Sequence, residues 1–212
     1  MQTSQLNDAL ENASMEELLD IVRQDFQVDF EPISVAGADL EILQVTNMTE
    51  YIERLASQAG QDKIQLPLWA KIWPSSMILS YYLMRLPKDE GTKIMEIGSG
   101  VGICGLMAAS LGFDTTLTDI EPHALLFSRI NALKNGLADK VHVRRADFTQ
   151  DKMGEKYDYI IGTEVTYDPD HARGLVKFLL RHLADSQTSE IVLGKEYKLK
   201  SKKFLKLAAE EF

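Results

Sequence analysis

The stretch KIMEIGSGVGICGLMAAS, residues 93–110, runs from an apolar strand through a glycine-rich turn into a helix. Gly98, Gly100 and Gly102 occupy alternate positions in that turn. Glycine permits unusual backbone angles and lets a ligand approach the main chain closely. As purely structural turns, these glycines would each cost roughly 0.5–1 kcal/mol of conformational entropy. The pattern therefore favours a ligand-binding loop.

Downstream of this loop, apolar strands alternate with helices up to the end of the chain. Strands are predicted at 94–97, 114–118, 141–144, 157–162 and 190–194. Helices are predicted at 103–111, 122–135, 169–183 and from 201. This alternation predicts an α/β fold with a doubly wound, mostly parallel, Rossmann-like sheet. Ligands bind such sheets at the carboxyl ends of the strands.

Upstream of the loop, the sequence predicts an appendage of helices and a β-hairpin. A helical pattern covers 7–26, with a capping box at Ser14 and Glu17 that indicates a break. Alternating apolar and polar residues predict a β-hairpin with strands at 30–35 and 39–45. Two further helices are predicted at 49–59 and 75–86. We expect residues 1–72 to pack on a core of residues 73–212 and to close over the ligand site.

Composition narrows the class of protein. With 212 residues and 45% apolar residues, the chain suffices for one compact domain. The formal net charge of −9 argues against nucleic acid as a partner. The sequence has no run near the roughly 20 apolar residues that a membrane helix needs, and no signal-peptide pattern. We expect a cytoplasmic protein with no membrane partner, no metal site and no disulfide, since Cys104 is the single cysteine.

A carboxylate downstream of the glycine loop indicates the kind of ligand. Asp119 ends the second predicted strand, where it can accept hydrogen bonds from both hydroxyls of a ribose. A nucleoside-containing cofactor is implied. NAD is one candidate, because GVGICG at 100–105 also matches the dinucleotide fingerprint. The roughly 90 residues before the first sheet strand, and the short remainder after it, disfavour NAD.

Three motifs in this order resemble the class I, seven-β-strand S-adenosylmethionine-dependent methyltransferases. They are EIGSGVG at 96–102, Asp119 after the second strand, and Asp147-Phe148 after the third. WPSS at 73–76 and EVTY at 164–167 are similar to methyltransferase family 16, which includes many protein-lysine methyltransferases. The chain ends before the antiparallel strand pair that members usually carry after the fifth strand. An uncovered sheet edge is compatible with a homodimer.

The resemblance implies S-adenosylmethionine as cofactor, with S-adenosylhomocysteine as product, and a set of residues that bind it. The glycines would surround the methionine part, Asp119 would hold the ribose, and Asp147 with Phe148 would meet the adenine. The full implied set is Trp73, Glu96, Gly98, Ser99, Gly100, Gly102, Asp119, Ile120, Asp147, Phe148 and Thr163. Trp69 is assigned to the core or a lid, and Asp168 to capping the following helix.

The family's Asp/Glu-x-x-Tyr/Phe signature falls on Glu164 and Tyr167, which the resemblance implies as catalytic residues beside the acceptor nitrogen. Glu164 can orient a lysine ammonium and accept its proton, and Tyr167 can offer an aromatic wall or a hydroxyl. N-methylation of a protein lysine is the leading function. The alternatives are a small-molecule N- or O-methyltransferase, a non-catalytic nucleotide-binding module and an NAD-dependent oxidoreductase.

Overall fold

The computed structural model describes residues 2–59, 66–198 and 200–212. The helices are α1 (Thr3–Asn12), α2 (Met15–Val22), α3 (Met48–Ala59), α4 (Pro74–Leu83), α5 (Ile103–Ser110), α6 (Pro122–Lys134), α7 (Ala172–His182) and α8 (Lys202–Glu211). The strands are β1 (Val28–Val35), β2 (Ala38–Val45), β3 (Lys93–Ile97), β4 (Asp114–Asp119), β5 (Val141–Arg145), β6 (Tyr159–Thr163) and β7 (Glu190–Gly194). A short 3-10 helix, Leu68–Ala70, precedes α4.

Local signals in the sequence set several element ends. Glu17 N–H donates to Ser14 Oγ over 3.3 Å and Ser14 N–H donates to Glu17 Oε2 over 2.8 Å, so the capping box separates α1 from α2. The assignment of Asp168 as the cap of α7 is wrong. The helix begins only at Ala172, and Asp168 Oδ1 accepts the N–H of Asp170 within the preceding turn.

Strands β3 to β7 form one parallel sheet in the order β5-β4-β3-β6-β7. The chain moves outward from β3 to β5 and then returns to β6 on the other side of β3. This reversal opens a crevice at the carboxyl ends of β3 and β6. The doubly wound, mostly parallel α/β fold is confirmed. In the described part of the chain no antiparallel strand pair follows β7, which forms one edge of the sheet.

Strands β1 and β2 form a separate antiparallel hairpin, as the alternation predicts. Its turn residues Ala36 and Gly37 both have positive φ, 50° and 82°, which is typical of tight hairpin turns. The hairpin, α1 and α2 pack against α6 and share one hydrophobic cluster with the sheet. Buried members from both parts of that cluster include Leu18, Val22, Ile42, Leu106 and Phe127.

No helix among the described residues combines the length and the apolar character that crossing a membrane requires.

Candidate functional site

A cavity of about 960 Å³ lies at the carboxyl ends of β3, β4, β5 and β6. That volume is at the upper end of the range for small-molecule and cofactor sites. The cavity brings together all but one of the residues singled out from the sequence, namely Trp73, Glu96, Gly98, Ser99, Gly100, Asp119, Ile120, Asp147, Phe148, Thr163, Glu164 and Tyr167. The described residues contain no group of three or more His, Cys, Asp or Glu that could hold a metal ion.

The glycine loop is held by α6 and covered by the segment before α4. Gly100 has φ 53°, and a Cβ there would lie 2.6 Å from the carbonyl oxygen of Trp69. On the other side, Ser128 Oγ donates to Gly100 O over 2.8 Å and Asn131 Nδ2 donates to Val101 O over 2.9 Å. Only glycine permits both this backbone angle and this close approach.

Gly102 is the exception among the predicted residues, because it does not line the cavity. Its left-handed backbone, φ 88°, begins α5. A Cβ there would meet Leu117 Cδ1 at 3.0 Å and Ser128 Oγ at 3.1 Å. Gly102 thus turns the chain from β3 into α5, and the contact with the cofactor that the resemblance implies stays a prediction.

Asp119 is a buried carboxylate at the end of β4, with 9% of its surface exposed. Its Oδ2 accepts the N–H of Gly100 over 2.9 Å, and its Oδ1 accepts the N–H of Glu121 over 3.0 Å. Burial raises the pKa of Asp119, although these N–H groups act in the opposite direction. The carboxylate is thus fixed beside the glycine loop. Each of its oxygens can accept one more hydrogen bond, from a ligand in the cavity.

Glu96 lies deeper, in β3, and is 2% exposed. Its Oε2 accepts the N–H of Gly105 over 2.7 Å. Burial raises the pKa of Glu96 to about 8, and the neighbouring charge of Asp119 acts in the same direction. The Glu96 carboxyl is therefore mostly protonated at neutral pH, and it joins the strand to the first turn of α5.

Ser99 provides a polar atom that no part of the described protein satisfies. Its Oγ is buried and has no hydrogen-bond partner among the described residues, and Ser99 lines the cavity within the glycine loop. Buried polar atoms in native proteins are nearly always paired. The unpaired hydroxyl indicates that a polar group of a ligand belongs beside it.

The end of the cavity beyond β5 combines a polar turn with apolar surface. Thr149 donates its N–H and hydroxyl to Asp147 Oδ1, and Gln150 Nε2 donates to Asp147 Oδ2 over 2.7 Å. Burial is the largest single effect and opposes ionisation, but these hydrogen bonds and the nearby His171 together outweigh it and lower the pKa of Asp147. Phe148 and Ile120, which is 51% exposed, supply apolar surface.

Glu164 follows β6 directly and has an unusual backbone. Its φ is 57°, and the only other non-glycine residue with positive φ in the described chain is Ala36. The N–H of Glu164 donates to Gly194 O in β7 over 2.9 Å, and its Oε1 accepts the hydroxyl of Ser75 in α4 over 2.6 Å. Neighbouring elements therefore hold a strained residue, as is common at functional sites.

Tyr167 lies at the mouth of the cavity and is 53% exposed. The preceding Thr166 is buried, and its Oγ1 lies 2.7 Å from Ser201 Oγ at the start of α8. This buried hydroxyl pair fixes the loop between β6 and α7. The exposed ring of Tyr167 is therefore carried on an anchored backbone.

The segment 66–73 and α3 supply wall residues that the sequence did not mark as a site. Trp69 lines the cavity while its ring packs against Phe127 and His123, at centroid distances of 5.0 and 5.9 Å. Lys71 Nζ lies 4.1 Å from the centroid of the Trp73 ring. Among the described residues of the N-terminal part, 2–59 and 66–72, only α3 and this segment contribute to the cavity wall, since α1, α2 and the hairpin lie against α6.

Comparison with known proteins links the chain to one family. Residues 56–211 match the model of a family described as lysine methyltransferase. Protein N-lysine methyltransferase METTL21A of Mus musculus is 34% identical over 145 residues, 65% of this chain and 65% of that protein. EEF1A lysine methyltransferase 3 of Xenopus tropicalis is 31% identical over 130 residues, 59% of this chain and 57% of that protein. The chain thus spans less than two thirds of the length of these relatives.

Solved structures share the fold at low identity. A SAM-dependent methyltransferase from Agrobacterium tumefaciens superposes with a TM-score of 0.57 at 17% identity, over 78% of this chain and 52% of the other. A TehB-like SAM-dependent methyltransferase from Corynebacterium glutamicum superposes with a TM-score of 0.52 at 18% identity, over 77% of this chain and 81% of the other. This likeness concerns the arrangement of the sheet and its helices.

Proposed function

Because the chain belongs to the lysine methyltransferase family, we propose that it transfers a methyl group from S-adenosylmethionine to the side-chain nitrogen of a lysine in a protein. One observation carries the proposal: the cavity joins the glycine loop and Asp119 on one side to the fixed Glu164 carboxylate on the other. Family membership also removes the NAD-dependent oxidoreductase alternative.

The residues that line the cavity fit this cofactor. The unpaired Ser99 hydroxyl and the glycine loop suit its amino-acid part, and Asp119 suits the ribose hydroxyls. Phe148 and Ile120 offer apolar surface for the adenine. When bound, S-adenosylmethionine supplies a methyl group activated by a positively charged sulfur.

Glu164 prepares the acceptor. A lysine side chain has a pKa of about 10.4 in water, and only its neutral form has the free electron pair that accepts a methyl group. The carboxylate of Glu164 attracts the ammonium, orients it and accepts a proton from it. Ser75 and Gly194 hold Glu164 in place before the acceptor arrives, so little reorganisation is needed during the reaction.

The shape of the cavity mouth supports a protein acceptor. Leu66, Leu68 and Tyr167, which line the mouth, are 54%, 49% and 53% exposed. An open, partly apolar rim can receive a long side chain carried on another protein, and the Tyr167 ring can contact the ammonium by a cation–π interaction. A small-molecule acceptor would be expected to occupy a more enclosed site.

The first experiment is a calorimetric titration with S-adenosylhomocysteine, with NAD as a control ligand. We expect binding of S-adenosylhomocysteine alone, weakened at least about tenfold in Asp119→Asn, because a neutral amide loses charge-assisted hydrogen bonds. Asp139→Asn, at an exposed position outside the cavity, should bind like the original protein. Binding of NAD instead would contradict the cofactor assignment.

Transfer is then measured with radiolabelled S-adenosylmethionine and fractionated cell lysate, followed by identification of the labelled residue. We expect label on protein lysine, and large losses of turnover in Glu164→Gln and in Tyr167→Ala, which removes the aromatic ring, at unchanged affinity for S-adenosylhomocysteine. Label only in the small-molecule fraction would assign a metabolite acceptor. Cofactor binding without transfer to any fraction would show a non-catalytic module.

A further inference from the structure

Most of the charged side chains that line the cavity are acidic. The six carboxyl side chains that line it are Glu96, Asp119, Glu121, Asp147, Glu164 and Glu196. In the described ranges, Lys71 is the single lysine or arginine that lines the cavity. The raised pKa of Glu96 keeps that carboxyl mostly protonated, so the other five supply the negative charge. Such a wall suits a ligand that carries more positive than negative charge and has one anionic group.

Lys71 is available to a ligand. The residue is exposed, and its Nζ lies 4.1 Å from the centroid of the Trp73 ring. No carboxylate of the described residues forms an ion pair with it. The indole face attracts the ammonium and restricts where it lies, without neutralising its charge.

The segment that carries Lys71 touches the glycine loop. Two residues before it, the carbonyl of Trp69 packs on Gly100. Two residues after it, Trp73 O accepts the hydroxyl of Ser76, a buried residue that also lines the cavity. The close approach of Trp69 to Gly100 therefore places the backbone of this segment beside the glycine loop.

The other basic side chain in the wall lies elsewhere. His171 has its ring centroid 6.2 Å from that of Phe148, and its Nε2 is 3.7 Å from Asp168 Oδ2. It is thus associated with the end of the cavity beyond β5 and already faces a carboxylate. The glycine-loop end has Lys71 as its source of positive charge.

We propose that Lys71 binds the carboxylate of the cofactor's amino-acid part and thereby selects ligands that carry this group. The inference rests on the proposed function, because it takes S-adenosylmethionine as the cofactor. Among the cofactor's charged groups, the sulfonium and the ammonium suit the acidic wall, and the carboxylate needs a cation. The Trp73 ring holds the Lys71 ammonium ready for that contact.

The test compares two ligands that differ in this group. S-adenosylhomocysteine has the amino-acid part, and 5′-methylthioadenosine has the same nucleoside and thioether without it. In Lys71→Met, which keeps an aliphatic stem over Trp73, we expect calorimetric affinity for S-adenosylhomocysteine to fall about tenfold, the effect of losing a charge-assisted hydrogen bond. Affinity for 5′-methylthioadenosine should be unchanged, and Lys71→Arg should bind both ligands like the original protein.

Lys88→Met is the matched control, because Lys88 Nζ lies 5.4 Å from the centroid of the Phe113 ring and Lys88 does not line the cavity. It should bind both ligands normally. Equal weakening of both ligands in Lys71→Met would show a structural role and overturn the inference, and so would unchanged affinity for S-adenosylhomocysteine. If the original protein bound neither ligand, the proposed function would fail together with the inference.

Discussion

At the scale of single residues, Glu164 combines a functional side chain with an unfavourable backbone. Its φ of 57° lies in the left-handed region, which costs an L-residue about 1–2 kcal/mol. The cost is offset by hydrogen bonds from Ser75 and to Gly194. The chain thus keeps a glutamate where glycine would be more stable, which is expected if the carboxylate is needed for activity.

Replacement of Glu164 by glycine and by alanine separates these two properties. Both variants lose the hydrogen bond from Ser75, but only glycine relieves the backbone. We expect Glu164→Gly to unfold in urea at a free energy about 1 kcal/mol higher than Glu164→Ala. Both should have lost methyl transfer. Greater stability of the alanine variant, as in an ordinary helix, would contradict the left-handed conformation.

The raised pKa of Glu96 predicts an unusual dependence of the free energy of unfolding on pH. Its pKa is raised by burial to about 8, so the folded protein holds a proton that the unfolded chain has lost above its ordinary value of 4.5. Between these values the folded state binds more protons, and its stability falls as the pH rises, by up to about 1.4 kcal/mol per pH unit.

Glu96→Gln should remove that dependence while keeping an acceptor for the N–H of Gly105. We expect the variant to gain stability relative to the original protein from pH 5 to pH 8, measured by urea unfolding at each pH. Parallel stability curves for the two proteins over this range would mean that the Glu96 carboxyl ionises normally when buried.

At the scale of elements, the close contact between the glycine loop and the segment before α4 is the decisive junction. Gly100→Ala places a Cβ 2.6 Å from the backbone oxygen of Trp69, at a φ of 53°. Gly136, after α6, has a similar φ of 67° but no atom within 4 Å of a new Cβ. The pair therefore separates backbone strain from collision.

We expect Gly136→Ala to cost about 1 kcal/mol, the effect of a left-handed alanine alone. Gly100→Ala should cost clearly more and should weaken binding of S-adenosylhomocysteine, because a backbone oxygen cannot rotate away as a side chain can. Urea unfolding and calorimetry provide the two measurements. If both variants lost the same free energy of unfolding and Gly100→Ala kept its affinity for S-adenosylhomocysteine, the segment before α4 would have to move away from the glycine loop at little cost.

At the scale of the whole molecule, α6 connects the hairpin of β1 and β2 to the glycine loop. Asn131 is fully buried; its Oδ1 accepts the N–H of Leu43 in β2 over 2.8 Å, and its Nδ2 donates to Val101 O over 2.9 Å. One side chain thus joins two parts of the chain that are far apart in sequence. Residues 1–72 and 73–212 are therefore expected to unfold together.

Asn131→Ala tests this coupling. It leaves the N–H of Leu43 and the carbonyl of Val101 without a partner, and each buried unpaired group costs about 1–3 kcal/mol. Both tryptophans, Trp69 and Trp73, line the cavity, so fluorescence reports the site while circular dichroism reports all helices. We expect the unfolding midpoints reported by both signals to shift together to a lower urea concentration. Separate transitions would indicate an independently folding appendage.

Several local features of this protein are predicted correctly from short stretches of its amino-acid sequence. Glycines at alternate positions after an apolar strand predicted the binding loop, the strand–helix alternation predicted the parallel sheet, and the Ser14 capping box predicted the break between α1 and α2. These signals concern residues within a few positions of one another, whose effects on the backbone are short-range. The position of Asp119 at the end of a predicted strand indicated a ribose site, and the family resemblance added Glu164; the cavity brings both residues together.

Which residues from distant parts of the chain share the site depends on the folding of the whole molecule. In the structure Gly102 lies outside the cavity wall, Lys71 lines the cavity, and the hairpin lies against α6 instead of over the cavity. The Leu43–Asn131 hydrogen bond spans 88 positions, and no local periodicity encodes such a contact. The left-handed backbone of Glu164 has the same origin, because side chains and strands from elsewhere in the fold hold a conformation that its own neighbours do not favour.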